Sequence, residues 1–124
     1  MDIILLNTAD QPIYQQIKSQ MITQILNGQL PEGEKLPSIR GLAKELKISV
    51  ITTKRAYEEL ENESFIDTVP GKGSFVSSRD RGMLRDRQLQ EIQDRLKLIV
   101  EEGKKYDMSM DKMIHLIKKW YGED

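Results

Sequence analysis

Hydrophobic residues recur every three or four positions soon after the start of the chain. Ile13, Ile17 and Met21 fall four apart, which is the spacing of one face of an amphipathic helix. Pro12 suits the first turn of that helix, because a backbone N–H would have no helical partner there. Gly28 is placed to end the helix. The pattern therefore predicts a helix of about four turns that buries one apolar face.

Two further amphipathic segments follow the turn-rich connector LPEGEKLP. Ser38 and Ser49 each precede one of these segments, and serine is a favoured N-cap residue. The second segment should run to about Asn62. Two short helices that abut across a tight turn form a helix-turn-helix. At 100° per residue, the inward positions of the second helix are Thr53, Ala56, Tyr57 and Leu60.

Two runs rich in β-formers come next, SFIDTV and SFVS. Pro70, Gly71, Lys72 and Gly73 separate them, which predicts a hairpin with a glycine-rich tip. The order of three helices and a hairpin is that of a winged helix. Near the start of the chain, the apolar residues 3–6 are typical of a short strand or an apolar lead-in.

The character of the chain changes at Ser78. The charged segment SRDRGMLRDRQ is typical of a hinge or a frayed helix start, and from Leu89 apolar residues follow in steps of three and four. Gly103 is expected to end this helix, and Ser109 to cap a final one. We therefore predict a mainly α protein with a small β-hairpin. Residues 1–77 would form a winged helix-turn-helix domain and residues 78–124 a two-helix dimerisation tail.

The predicted tail is too short to be stable as isolated helices in water. A hairpin of two helices would still leave one apolar face open, and pairing with a second copy would close a four-helix arrangement. We therefore expect a homodimer. The predicted interface residues are Leu89, Ile92, Leu96, Ile99, Met113, Ile117 and Trp120.

Composition excludes several classes of function. The chain has no cysteine, so it has no disulfide framework and no thiolate metal site. The single histidine, His115, has no partner at metal-ligand spacing, and no phosphate loop or nucleophile elbow is present. No apolar run approaches the roughly 20 residues of a membrane-spanning helix, and the first residues do not resemble a signal peptide. We expect a cytoplasmic protein without cofactor, metal or catalytic activity.

The formal net charge of −1 means that any DNA binding would depend on local placement of basic residues. In the second helix of the helix-turn-helix, Ile51, Thr52, Lys54 and Arg55 project outward or sideways, with Val50 on the border. Aliphatic side chains can contact thymine methyl groups, and basic ones can neutralise phosphates. The same pattern also fits a three-helix core with a mixed solvent face, so both interpretations stay open at this point.

Three motifs in sequence decide between these interpretations. They are Leu-Pro-Ser-Ile-Arg at 36–40, Arg-Ala-Tyr-Glu-Glu-Leu at 55–60 and Gly-Lys-Gly-Ser-Phe-Val at 71–76. With the helix after Pro12, they make residues 12–76 resemble the DNA-binding domain of the GntR family of bacterial transcription regulators. The short helical tail is similar to that of YtrA-type members, which dimerise through it. The resemblance implies a sequence-specific regulator, expected to be a repressor, that binds a pseudo-palindromic operator as a homodimer.

The resemblance also implies roles for particular residues. Arg40 would contact a phosphate or a guanine, and Ser38 would cap its helix and reach a phosphate. The start of the second helix would enter the major groove, and the glycines of the wing tip would allow close approach to a minor groove. The predicted DNA-contacting residues are Ser38, Arg40, Ser49, Val50, Ile51, Thr52, Lys54, Arg55, Gly71, Lys72 and Gly73.

The chain departs from the family pattern at three positions. Many relatives have Arg or Pro where Val50 stands and Asn where Ile51 stands, so we expect a shift toward A·T-rich sites. Gly41 replaces a common Glu, which removes half of a capping box and should loosen the helix start. A winged-helix adaptor that binds protein instead of DNA is the alternative. The short tail offers little volume for a small-molecule effector, although a cleft between two copies could hold one.

Overall fold

The structure, a computed structural model, describes residues 1–8 and 10–122. Residue 9 and residues 123–124, which close the predicted tail, lie outside the described residues. The predicted fold class, mainly α with one β-hairpin, is confirmed. The chain divides into two compact units, Met1–Arg85 and Asp86–Asp124. The elements in order are α1 (Ile13–Leu26), α2 (Ile39–Leu46), α3 (Val50–Asn62), β1 (Ile66–Val69), β2 (Gly73–Val76), α4 (Arg81–Lys105) and α5 (Met110–Tyr121).

The first unit has one hydrophobic core between α1, α2, α3 and the hairpin. The predicted stripe of α1 is buried at Ile17 and Met21. All four side chains predicted to face inward from α3 are also buried. A second tie joins α1 to α3, because the Lys18 ammonium lies 3.0 Å from a carboxylate oxygen of Glu59 and also pairs with Glu63. The core therefore fixes how α3 is oriented within the unit.

An extended N-terminal segment lies along α1 and is held by three glutamine side chains. Gln20 pairs in both directions with the backbone of Ile4, at 2.8 and 2.6 Å. Gln16 pairs in the same way with Leu6, at 2.8 and 3.0 Å. Gln24 donates to the backbone carbonyl of Asp2. Because side chains hold this backbone, residues 3–6 form an apolar lead-in and not a strand. The residues that pack from it against the core are Met1, Ile3 and Leu5.

The β-hairpin is held on a second edge by the connector before α2. β1 and β2 pair antiparallel, from Ile66 opposite Val76 to Val69 opposite Gly73. Residues 33–36 lie along the other edge of β2, where backbone hydrogen bonds of 2.9 Å join Leu36 to Ser74 and Val76 to Glu34. The sequence predicted only turns for this connector. The pairing is non-local, and it fixes the wing beside the start of α2.

Helix α4 begins earlier than predicted. The segment predicted as a hinge or frayed start is ordered helix from Arg81, and Asp80 accepts a hydrogen bond from the Met83 N–H at 3.3 Å. Leu84 is fully buried in the core of the first unit. Arg85 donates to the carbonyl of Leu26 at the end of α1, at 2.8 Å. The compact unit therefore extends beyond Ser77, the predicted domain boundary.

The prediction that Gly103 ends the first tail helix is wrong, because α4 continues to Lys105. A Cβ atom at Gly103 would meet the end of the Met113 side chain, so Gly103 lies within α4 at a point that α5 approaches. The turn is made by Asp107, which has a left-handed φ of 62°. The N–H of Met108 then returns to the carbonyl of Gly103 at 2.9 Å.

The second unit consists of the remainder of α4 and α5. Ser109 caps α5 as predicted, since its Oγ accepts from the Lys112 N–H at 3.1 Å. Among residues 86–122, the described part of this unit, no side chain is buried. The described helices include none with the length and apolar character needed to cross a bilayer.

Candidate nucleic-acid interface

The turn between α2 and α3 is built from two matching helix ends. Lys47 takes a left-handed φ of 57°, and the N–H of Ile48 returns to the carbonyl of Ala43 at 3.0 Å, which closes α2. Ser49 then opens α3, because its Oγ accepts from the Thr52 N–H at 3.0 Å. Both predicted N-caps, this one and Ser38, are confirmed. The turn is short, so α3 starts directly beside the end of α2.

The start of α3 exposes the residues predicted to enter a groove. Ile51 is 81% exposed and Val50 is 38% exposed, although both are aliphatic. Thr52 is partly exposed, and its hydroxyl accepts from Ser49 at 2.7 Å, which leaves its own proton available to a phosphate. By contrast, Thr53 is fully buried and donates to the Ser49 carbonyl at 3.1 Å. The predicted division between inward and outward positions is therefore found in the fold.

The two basic residues of α3, Lys54 and Arg55, differ in how strongly neighbouring side chains hold them. Lys54 is exposed and lies 3.7 Å from Glu58, a solvent-screened pair that contributes little to stability. Arg55 instead stacks on the ring of Tyr14, 3.8 Å from its centroid, and its Nε lies 3.2 Å from Glu59. Lys54 can therefore turn to a phosphate easily, whereas Arg55 is held toward α1.

The acidic residues of α3 lie in its second half and are largely engaged within the protein. A hydrogen bond from Lys18 lowers the pKa of Glu59, and Arg55 adds to the effect. Burial alone would lower the pKa of Lys18, but its hydrogen bonds with Glu63 and Glu59 raise it overall. Glu61 accepts from the Thr68 hydroxyl at 2.9 Å. The first turn of α3 contains no acidic residue. The positive end of the helix dipole is therefore not neutralised by a carboxylate at the start of α3.

The start of α2 is fixed against α3 by one buried tyrosine. The hydroxyl of Tyr57 donates to the carbonyl of Pro37 at 2.7 Å. Burial raises the pKa of Tyr57, with a further contribution from Glu45, so the phenol stays a neutral donor. Ser38 accepts from the Gly41 N–H at 2.9 Å, which is the half of the capping box that remains. Arg40 follows in the first turn, exposed and without an ion-pair partner among residues 1–8 and 10–122.

The wing ends in a tight turn with an exposed cation. The Lys72 N–H donates to the Val69 carbonyl at 2.9 Å, and the lysine side chain is exposed. Gly71 and Gly73 have φ values of 76° and 117°, which residues with a Cβ rarely adopt. Sequence reasoning missed Lys35, which the pairing of residues 33–36 with β2 brings beside Gly73.

The tail residues predicted to form an interface lie on exposed surface of the second unit. Trp120 is 74% exposed, and every other member of the predicted set except Met113 is also exposed. An apolar groove of about 590 Å³ runs between α4 and α5. Its lining adds four residues to the predicted interface set: Val100, Met108, Met110 and Ile114. Within the described chain, no group of three His, Asp or Glu side chains is arranged to hold a metal ion.

Three helices, a two-stranded wing and an exposed start of the third helix define a winged helix-turn-helix, a class of DNA-binding fold. The family described as "Bacterial regulatory proteins, gntR family" matches residues 13–76. Since this match spans more than half of the chain, the chain belongs to the GntR family. It is a DNA-binding regulator of transcription and not an enzyme. The predicted family resemblance is confirmed.

Relatives of similar size extend the likeness through the tail. The HTH-type transcriptional repressor YtrA of Bacillus subtilis (strain 168) is 33% identical over 108 residues, covering 87% of this chain and 83% of that protein. The solved structure of YtrA from Sulfolobus acidocaldarius, a GntR-family transcription factor, has a TM-score of 0.57 at 33% identity and covers 98% of this chain and 97% of that one. A transcriptional antiterminator structure from Listeria monocytogenes EGD-e has a TM-score of 0.74 at 28% identity and covers 98% and 90%. The two YtrA proteins support the YtrA-type subfamily.

Proposed function

We propose that this chain represses transcription by binding a pseudo-palindromic operator as a homodimer. In this proposal the start of α3 enters the major groove, α2 and the wing contact the flanking backbone, and the tail joins two copies. A repressing role is supported by the name of the Bacillus subtilis relative. The regulator would act in the cytoplasm, where its DNA target lies.

The exposure of Ile51 carries the proposal. An aliphatic side chain that is 81% exposed at the first turn of a helix gains nothing from the protein's own core. In a major groove it can contact thymine methyl groups, and Val50 beside it can do the same. We therefore expect A·T base pairs at the centre of each half-site.

Phosphate contacts would hold α3 in register. Lys54 and Arg40 are exposed cations on either side of the turn, and Ser38 and Thr52 have hydroxyl protons that their caps leave free. Lys72 would bind at the wing. Arg55, predicted from sequence as a further contact, would have to leave Tyr14 and Glu59, so we assign it the smallest share of binding.

The tail supports a homodimer through its exposed apolar face. Residues 86–122 bury no side chain among themselves, so the helical hairpin lacks a core of its own. An isolated helix as short as α5, with 12 residues, is marginal in water. Pairing with a second copy would cover the stripe from Leu89 to Ile99 together with Ile117 and Trp120. Two linked DNA-binding domains also raise affinity for a two-fold symmetric site.

A titration of the full chain against the DNA upstream of its own gene tests this function. We expect saturable, site-specific binding, with log affinity falling linearly as log salt rises. Light scattering should find two chains on each duplex. Binding that is absent or indifferent to sequence would contradict the proposal and favour a protein-interaction adaptor.

A further inference from the structure

Lys35 lies on the outer face of the wing. It forms an antiparallel bridge with Phe75, which is also the partner of Asp67 in the hairpin. Directly paired residues share one face of a sheet, and so do residues two apart, which puts Gly73 on this face too. Residues of the other face, such as Val76, are buried in the core. The lysine therefore projects away from the core.

The stem of Lys35 passes over Gly73 toward the wing tip. Its Cε lies 3.2 Å from the position that a Cβ would take at Gly73. A Cβ at this position would require only a small shift of the lysine, and a φ of 117° favours glycine there in any case. The lysine stem thus runs along the wing.

The charge of Lys35 is not used within the protein. The acid that shares its face, Asp67, is paired with Arg79 at 3.3 Å. Lys35 itself makes no ion pair with any residue in the described ranges 1–8 and 10–122. It is exposed, like Lys72 at the tip. The outer face of the wing therefore offers two cations.

Lys35 also connects two parts of the proposed interface. Leu36 and Pro37 separate it from the N-cap Ser38, and the Pro37 carbonyl is fixed by Tyr57 at 2.7 Å. The Leu36 N–H is fixed on β2 at 2.9 Å. On the other side of the lysine, the Glu34 carbonyl accepts from the Val76 N–H at 2.9 Å. The wing therefore holds the backbone on both sides of Lys35, and Tyr57 holds Pro37 at the start of α2.

We propose that Lys35 is a further DNA-contacting residue that binds a backbone phosphate beside the wing. This inference rests on the proposed function. With Lys72 and Arg40 it makes a row of cations from the wing tip to the start of α2. A lysine binds phosphate as a point charge, so the contact adds affinity and register but does not read sequence.

Fluorescence anisotropy of the full chain on a duplex that the wild type selects from a random pool tests the inference. Lys35→Met keeps the stem over Gly73 and removes the charge. We expect about threefold to tenfold weaker binding at 0.15 M salt. The salt slope should be shallower by about 0.9 for each phosphate that is no longer neutralised, or by about two for a dimer. Lys35→Arg should bind like the wild type. Lys112→Met, at an exposed lysine of α5, is the control and should change neither quantity.

The outcomes separate this inference from the proposed function. If Arg40→Ala and Lys54→Ala weaken binding to the same duplex while Lys35→Met matches the wild type in affinity and slope, only the inference is overturned. If none of the variants weakens binding, the proposed function fails as well. Equal loss in Lys35→Met and Lys35→Arg would assign the lysine to holding the wing's shape, which also overturns the proposed phosphate contact.

Discussion

Residues 1–85 and residues 86–122 differ in whether they bury their hydrophobic side chains. In the first region, three helices, the hairpin and the first turn of α4 enclose one core, in which Ile17, Ile25 and Leu60 are fully buried. In the second region, two helices carry a comparable apolar stripe, yet none of its described side chains is buried. The first region has a core that stabilises it, whereas in our proposal the second region is stabilised by packing against a second copy. The same contrast recurs within α3, whose second half is core and whose start is exposed.

The largest expected effect comes from a charge on the open face of the tail. Leu96→Asp would place a carboxylate in the proposed interface, where desolvation makes it costly. We expect a monomer in size-exclusion chromatography with light scattering, and DNA affinity reduced roughly a hundredfold as avidity disappears.

Leu98→Asp is the matched control for this change. Leu98 is 63% exposed and, at 100° per residue, lies on the far side of α4 from the predicted stripe. The control should remain dimeric and bind DNA normally. A dimer that survives Leu96→Asp but dissociates with Leu98→Asp would move the interface to the other face of the helix.

The next effect concerns the exposed cations of the first region. Arg40→Ala and Lys54→Ala should each weaken DNA binding by about tenfold, which corresponds to about 1.4 kcal/mol. Because both side chains are exposed, the melting temperature should stay close to that of the wild type. Parallel loss of folding and binding would show that these residues are structural.

A smaller effect on DNA binding, contrasted with a separate effect on folding, distinguishes the two halves of α3. Ile51→Ala should reduce the preference for A·T base pairs by about 1 kcal/mol per half-site without changing the free energy of unfolding. Leu60→Ala, in the buried half of the same helix, should cost about 2–5 kcal/mol of unfolding free energy. Binding-site selection and urea unfolding measure the two quantities. If Ile51→Ala leaves the base preference unchanged, the isoleucine does not contact thymine methyl groups as proposed.

The smallest effect is a pH dependence within the first region. The lowered pKa of Glu59 means that its pair with Lys18 stabilises the fold above the ordinary carboxyl pKa of about 4.3 and that this stability is lost as pH falls. The raised pKa of Lys18 keeps its own contribution intact until strongly alkaline pH. The unfolding free energy of Lys18→Met in urea should therefore decline less steeply between pH 7 and pH 3 than that of the wild type. Lys54→Met, which breaks only an exposed pair, should follow the wild-type slope.

Much of the first region could be predicted because the residues that start, end and orient its helices lie close together in sequence. The spacing of apolar residues placed α1 and α3, and serine caps placed the starts of α2 and α3, while α3 ends at Asn62 as predicted. The pairing of residues 33–36 with β2 could not be predicted in this way, because its partner lies about forty residues away and the pattern of the connector shows only turns. Lys35 was missed for the same reason.

Sequence reasoning was wrong where one residue type serves two purposes. A glycine that ends a helix and a glycine inside a helix look alike in sequence, and Gly103 is the second kind. Leu84 stands beside Met83 in a mostly charged segment, so no periodic pattern indicated its burial. Arg55 is exposed, in keeping with its predicted outward or sideways position, but its contact with Tyr14 was not predicted because it depends on how α1 packs against α3.

Hydroxyl-radical footprinting of the wild-type chain on its selected duplex tests the central claim most directly. The account predicts two equivalent protected regions related by a dyad, with half-site centres about 10 base pairs apart or a multiple of that distance. A single unsymmetrical region, or protection that does not depend on sequence, would contradict the reading of DNA by two copies of α3.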